Sequence, residues 1–172
     1  RQHAPESVMS RRRVVVTGLG AICPVGNTVA ESWANLLAGR SGIGEITKFD
    51  ASEFACRFAG EVKGFPLEDY ISAKDARHMD TFIHYGLAAS IQAVHDAGIA
   101  TGDALNEEQA ERVGCLVGSG IGGLPLIEET HKAVLASGPR KISPFFIPGS
   151  IINLIAGQLS IMYGLKGPNL AL

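Results

Sequence analysis

From Phe145 to Leu165 the chain carries no charged residue, and the apolar positions there follow neither strict alternation nor a narrow stripe. Ile151, Ile152, Leu154, Ile155, Leu159, Ile161 and Met162 would cover most of a helical circumference, the pattern of a buried helix. Pro148 suits the opening of that helix and Gly164 a left-handed cap at its close. The intervening ~15 residues span only about 22 Å, and a bilayer needs about 20 apolar residues. Asn153 and Gln158 would also be left in hydrocarbon, so the run is expected to be a core or interface helix and not a membrane span.

Two β-branched runs read as buried strands, Arg13–Gly18 and Arg112–Gly118, each ending in a glycine turn. A third begins at Asn169. The echo between the first two predicts βαβ units and a parallel sheet. Thr28 and Glu31 have capping-box spacing and open a helix whose inner face is expected to be Trp33, Leu36 and Leu37, with Gly39 ending it. Met79, Phe82, Ile83, Leu87, Ile91 and Val94 repeat at helical spacing and predict one long helix over about Lys74–Asp96, stopped by Gly98. Another helix is expected from about Pro125 to Leu135. Ser41–Pro66 reads as irregular with short extended pieces such as Arg57–Gly60, residues 67–72 as a surface connection, and Ala100–Glu111 as a polar excursion.

Composition narrows the class. With 172 residues, 46% hydrophobic and 19% charged, the chain makes one globular domain or half of a larger one. A net charge of −2 excludes a generally basic nucleic-acid surface. The three cysteines, Cys23, Cys56 and Cys115, have no metal-ligand spacing, and an odd count without a signal peptide fits reduced thiols in a cytosol-like compartment. Residues 1–8 are patternless and are expected to be an appended remnant or a short extension outside the fold.

No catalytic constellation closes within the chain. The turn at Gly18-Leu19-Gly20 lacks the third glycine of a dinucleotide fingerprint, because Cys23-Pro24 intervene. Ser119-Gly120-Ile121-Gly122-Gly123 could present backbone N–H groups to phosphate, but no Lys-Ser/Thr follows it, which excludes a P-loop. His3, His78, His84, His95 and His131 lie on or near helices and are read as structural. Cys115 points into a predicted sheet and is expected to be an inert core thiol, whereas Cys23 sits in a turn and is the one candidate reactive thiol.

Five segments, in order along the chain, resemble the β-ketoacyl-[acyl-carrier-protein] synthases. They are V-V-V-T-G-L-G-A-I-C-P-V-G-N (Val14–Asn27), D-A-R-H-M-D-T-F (Asp75–Phe82), V-G-S-G-I-G-G (Val117–Gly123), P-R-K-I-S-P-F-F-I-P (Pro139–Pro148) and I-M-Y-G-L-K-G-P-N (Ile161–Asn169). The similarity covers nearly all of Ser10–Leu172 and is nearest the type II elongation enzymes of fatty-acid biosynthesis. It implies a thiolase-like α/β fold, with residues 9–172 forming the N-terminal half: layers of helix around a mainly parallel central sheet, in a cytoplasmic homodimer without cofactor or metal. The activity implied is acyl transfer to an enzyme thiol followed by decarboxylative condensation with malonyl-[acyl-carrier protein]. The family's nucleophilic cysteine is expected a few residues past Leu172, and its histidines and lysine further on. The resemblance therefore places no catalytic residue here, and the chain is expected to be inactive alone. It does imply that Ile121 is a gate at the bottom of an acyl tunnel and that Phe146 and Ile147 reach that tunnel across the dimer interface. Lys74 and Arg77 would meet the acidic acyl carrier protein, with His78 at the third basic position of that cluster. The alternative is a non-catalytic chain-length subunit of a polyketide synthase, distinguished by the residue at the nucleophile position. A nucleotide-binding α/β domain is the weaker third reading.

Overall fold

The computed structural model describes residues 12–99 and 105–172, and the expectations for residues 1–8, His3 and the start of the polar excursion lie outside the described residues. The elements, in chain order, are α1 (Val29–Leu37), β1 (Ile43–Glu45), β2 (Phe58–Gly60), α2 (Ala73–Ala76), α3 (Thr81–Asp96), α4 (Glu107–Arg112), β3 (Cys115–Val117), α5 (Leu124–Ser137), α6 (Phe146–Ser150), α7 (Leu154–Tyr163) and β4 (Asn169–Ala171). β1 and β2 form an antiparallel pair that takes in the extended piece expected at Phe58–Gly60. β3 and β4 pair in parallel with Cys115 opposite Asn169 and Val117 opposite Ala171, and the crossover between them carries α5, α6 and α7. This is a βαβ unit with a parallel ladder, but it joins the second and third of the expected strands and not the first two, whose echo predicts it.

The core lies where α3 crosses α7. Ile83 and Leu87 are fully buried there, packed with Ile71, Ala76, Ile91, Ile155, Ala156, Leu159, Tyr163 and the Cys115 end of β3. Gly86 allows the two helices this close an approach, since a Cβ at that position would stand 2.7 Å from the Ile155 side chain. Asn169 ties the start of β4 to the same helix by donating to the Ala156 carbonyl at 3.0 Å.

Four expectations are corrected. The long helix over Lys74–Asp96 is two helices, because the chain turns at Arg77–Met79 and Asp80 is extended (φ −72°, ψ 159°). The uncharged run is likewise two helices: Pro148 lies inside the first turn of α6, where its missing N–H is harmless, and Ile151 is extended (ψ 144°) before α7 begins. Gly164 does close α7 in the left-handed conformation, with φ 63°. Arg112 belongs to α4, so the second strand begins only at Cys115. The part of the polar excursion that is described is thus helical, held by a capping box in which Asn106 and Gln109 each bond the other's backbone N–H.

The fourth correction concerns Arg13–Gly18 and the inner face of α1. Val14 is 94% exposed and joins no ladder, because no strand lies beside it among the described residues. The segment is held instead at its glycine end: a Cβ on Gly20 would stand 1.9 Å from the Ala89 carbonyl oxygen, so this backbone runs directly against α3. Leu19 and Ala21 donate their N–H groups to Asp96 and Gln92 on that helix. Trp33, Leu36 and Leu37 are exposed, and the residue of α1 that is buried is Ser32. The Thr28 half of the expected capping box forms, with Thr28 accepting the Glu31 N–H at 3.1 Å, while the Glu31 carboxylate accepts the N–H of Asn27 instead of that of Thr28.

Candidate functional site

The structure brings three of the expected site segments into one neighbourhood. The first is the turn between α2 and α3. Ser72 caps α2 by accepting the Asp75 N–H, and Lys74 and Arg77 stand exposed on this four-residue helix and its end. The His78 ring stacks on Phe145, with centroids 3.8 Å apart, which seats the turn directly on the approach to α6. A cleft of about 160 Å³ lies between them, lined by Asp75, His78, Met79, Phe145, Pro148 and Gln158. His84, in the first turn of α3, bonds the Ala76 carbonyl at 3.0 Å and so closes the end of α2, a structural role as expected.

The second segment is the glycine-rich loop that leaves β3. Ile121 projects from it and is 70% exposed. Gly122 has φ 88°, and a Cβ there would stand 2.6 Å from the Ser150 carbonyl oxygen, so both conformation and space require glycine. The third segment is α6 itself, on which Phe146 is half-buried and Ile147 exposed. The loop is joined to it by the Gly123 N–H donating to the Ser150 carbonyl at 2.9 Å. Ile121, Phe146 and Ile147 therefore lie on adjoining segments, with Lys74 and Arg77 on the next turn over.

The group that unites them was not singled out by sequence reasoning. Asp80, a buried acid, accepts the Leu126 N–H in the first turn of α5 at 2.8 Å, while its own N–H donates to the Gly149 carbonyl at 3.1 Å. The available signal was the tripeptide Asp80-Thr81-Phe82, an N-cap residue within an apparently continuous helical stripe.

The thiols are sorted by environment. Burial pushes the Cys115 thiol above its ordinary value and keeps it protonated, in accord with an inert core cysteine. The hydroxyl of Ser32, 3.2 Å from the sulfur, holds the Cys23 thiol below its ordinary value, the direction expected of the more reactive site. Among the described residues no histidine bonds it, and no group of three or more His, Cys, Asp or Glu side chains is placed to hold a metal ion. A separate groove of about 670 Å³ between α1 and α3, lined in part by Trp33, Tyr70 and His95, contains none of the expected site residues. No helix among the described residues is long and apolar enough to cross a membrane.

This mixed α/β unit, with a glycine loop bonded to a short apolar helix beside a parallel strand pair, is the N-terminal part of a condensing-enzyme fold. The family model for Beta-ketoacyl synthase, N-terminal domain, matches residues 11–172, and the chain belongs to that family. It is 60% identical over 164 residues to 3-oxoacyl-[acyl-carrier-protein] synthase 2 of Vibrio cholerae, covering 95% of this chain and 39% of that protein. It is 49% identical over the same length to the protein so named in Coxiella burnetii, again covering 39% of it. The chain thus spans well under half the length of these curated relatives. Among solved structures it superposes on the ishigamide ketosynthase/chain length factor with a TM-score of 0.70 and 29% identity, covering 94% of this chain and 39% of that one. A type II polyketide ketosynthase solved in complex with its acyl-carrier protein matches with a TM-score of 0.67 and 30% identity, over 91% of this chain and 40% of that one. The thiolase-like N-terminal half expected from the sequence is the fold found.

Proposed function

We propose that this chain is the N-terminal part of a 3-oxoacyl-[acyl-carrier-protein] synthase of fatty-acid elongation, and that it supplies the carrier-docking turn and part of the acyl tunnel. In the reaction an acyl group passes to an enzyme thiol, malonyl-carrier loses CO₂, and the resulting enolate forms the new C–C bond as the thiol is released. The observation that carries this reading is the 60% identity to 3-oxoacyl-[acyl-carrier-protein] synthase 2 across nearly the whole chain. The chain-length-subunit alternative rests on a likeness at 29% identity and is less favoured.

The placement of the side chains supports the assignment. Lys74 and Arg77 are exposed cations on a chain of net charge −2, which suits them to an acidic carrier protein that the rest of the surface would not attract. Ile121 is the one large side chain of a loop otherwise made of glycine and serine, as a movable plug would be. Ile147, Ile151, Ile161 and Met162 are exposed on segments that carry no charge, which favours a second copy of the chain covering them in a cytoplasmic homodimer.

The test uses the full-length protein. Lys74→Glu with Arg77→Glu is expected to raise KM for acyl-carrier about tenfold or more at low salt while leaving kcat nearly unchanged. Unchanged kinetics at low salt would remove the docking assignment.

A further inference from the structure

We propose that Asp80 is a positioning residue for chain-length selection: it caps α5 from a distance and thereby fixes the loop that carries Ile121. This rests on the reading of Ile121 as a residue facing the acyl chain.

Asp80 stands at the N-cap position of α3 yet makes no side-chain bond to that helix. Its carboxylate is turned to α5, where it accepts the N–H of Leu126, the third residue of the helix. That is the bond an N-cap side chain ordinarily makes to its own helix. α5 has no such side chain, because its N-cap residue is Gly123. Nor can it acquire one: a Cβ on Gly123 would stand 2.8 Å from the Ser150 Cα and 3.1 Å from the Asp80 Cβ.

The remaining groups of this helix start are accounted for. Pro125 has no N–H, the Leu124 N–H goes to Gly122 and the Ile127 N–H to Gly123. Asp80 is thus the sole side-chain partner of the first turn among the described residues, and its negative charge sits at the positive end of the helix dipole.

The capping bond is one strand of a larger knot. The Asp80 N–H holds Gly149 and the Gly123 N–H holds Ser150, so α3, α5 and α6 meet within a few bonds. Ile121 leaves the backbone two residues before Gly123, and nothing else large shares its loop. The knot therefore sets where the Ile121 side chain starts, and the freedom of that side chain to yield to a long acyl chain depends on how firmly Gly122 and Gly123 are held. A buried carboxylate is costly unless its bonds are made. A neutral amide of the same shape retains an acceptor oxygen and should preserve the knot.

The experiment measures kcat/KM of the full-length protein for acyl-carriers from short to long, with the melting temperature beside it. Asp80→Ala is expected to change the ratio of long-chain to short-chain kcat/KM by about tenfold, whereas Asp80→Asn keeps it within about twofold. Asp80→Glu, which displaces the carboxylate by one methylene, is expected to shift the ratio in the same direction as Asp80→Ala and carries the test should the alanine variant fail to fold. A drop that is uniform across chain lengths, whatever the loss of melting temperature, would show a merely structural acid and overturn the assignment. So would an Asp80→Asn profile that matches Asp80→Ala. Ile121→Phe is measured in parallel. If it moves the ratio and the Asp80 variants do not, this assignment alone fails. If it does not, the reading of the loop as facing the acyl chain fails, and the assignment falls with it.

Discussion

Helices α1 and α3 carry similar signals in the sequence and meet different fates. Each has an apolar stripe at helical spacing. On α3 the stripe is covered: Ile83 and Leu87 are fully buried and Ile91 nearly so, against α7 and β3. On α1 the stripe is bare, with Trp33 61% and Leu37 71% exposed, and the side chain that is buried, Ser32, bonds Cys23 and the Gly26 carbonyl. Periodicity therefore establishes that a helix has a face to cover, and the covering surface must be sought elsewhere. α3 finds one within these residues. The chain spans 39% of its curated relatives, so α1 and the valines of Val14–Val16 are described without most of that length.

The largest expected effect tests this contrast directly. Leu87→Ala removes a side chain with no exposure and should cost about 2–5 kcal/mol in chemical denaturation. Leu37→Ala in the same chain should fall within about 0.5 kcal/mol of the parent. Equal costs would mean that α1 is covered in solution and that the comparison is wrong.

The next effect concerns how the bare segment is held. Gly20 lies so close to the Ala89 carbonyl that Gly20→Ala must push residues 18–22 off α3, straining the bonds from Leu19 to Asp96 and from Ala21 to Gln92. The expected cost is about 1–3 kcal/mol, as for overpacking in a core, with faster amide exchange at Leu19 and Ala21. A stable variant with unchanged exchange would show that this segment is not docked on α3. A smaller effect, about 1 kcal/mol, is expected for Thr28→Ala, which removes the side-chain cap of α1 and leaves the exposed face as it was.

Where the determinants are local, the residues declare them. The Thr28 cap, the left-handed Gly164, the α5 helix and the inert Cys115 were all legible from a few adjacent positions. The breaks at Arg77–Met79 and Ile151–Asn153 were not, because the apolar period continues through both and the cause lies in distant bonds: Asp80 turned to α5, and the Ser150 carbonyl held by Gly123. The convergence of Lys74, Ile121 and Phe146 likewise follows from these bonds and from the His78–Phe145 stack, which no spacing encodes. The residues of the candidate site could be named from resemblance, but the acid that joins them required the fold.

The smallest effect marks the far end of the same scale. Lys166 and Glu107 form an ion pair at 2.6 Å between the turn before β4 and the first turn of α4, with side chains 50% and 71% exposed. Short as it is, the pair competes with water at both ends and is screened by salt. It is also redundant, because the Lys166 N–H already donates to the Ala110 carbonyl and the Gly167 N–H to that of Val113, so the two segments stay in register without the charges. Glu107 has a second favourable interaction, with the N-terminus of α4, which Glu107→Gln would lose as well. A double-mutant cycle with Lys166→Met separates the two. The coupling is expected to be below about 1 kcal/mol at low ionic strength and to vanish near 1 M salt. A coupling of about 2 kcal/mol that persists in salt would place this exposed pair with the buried determinants of α3 and break the ordering argued from burial.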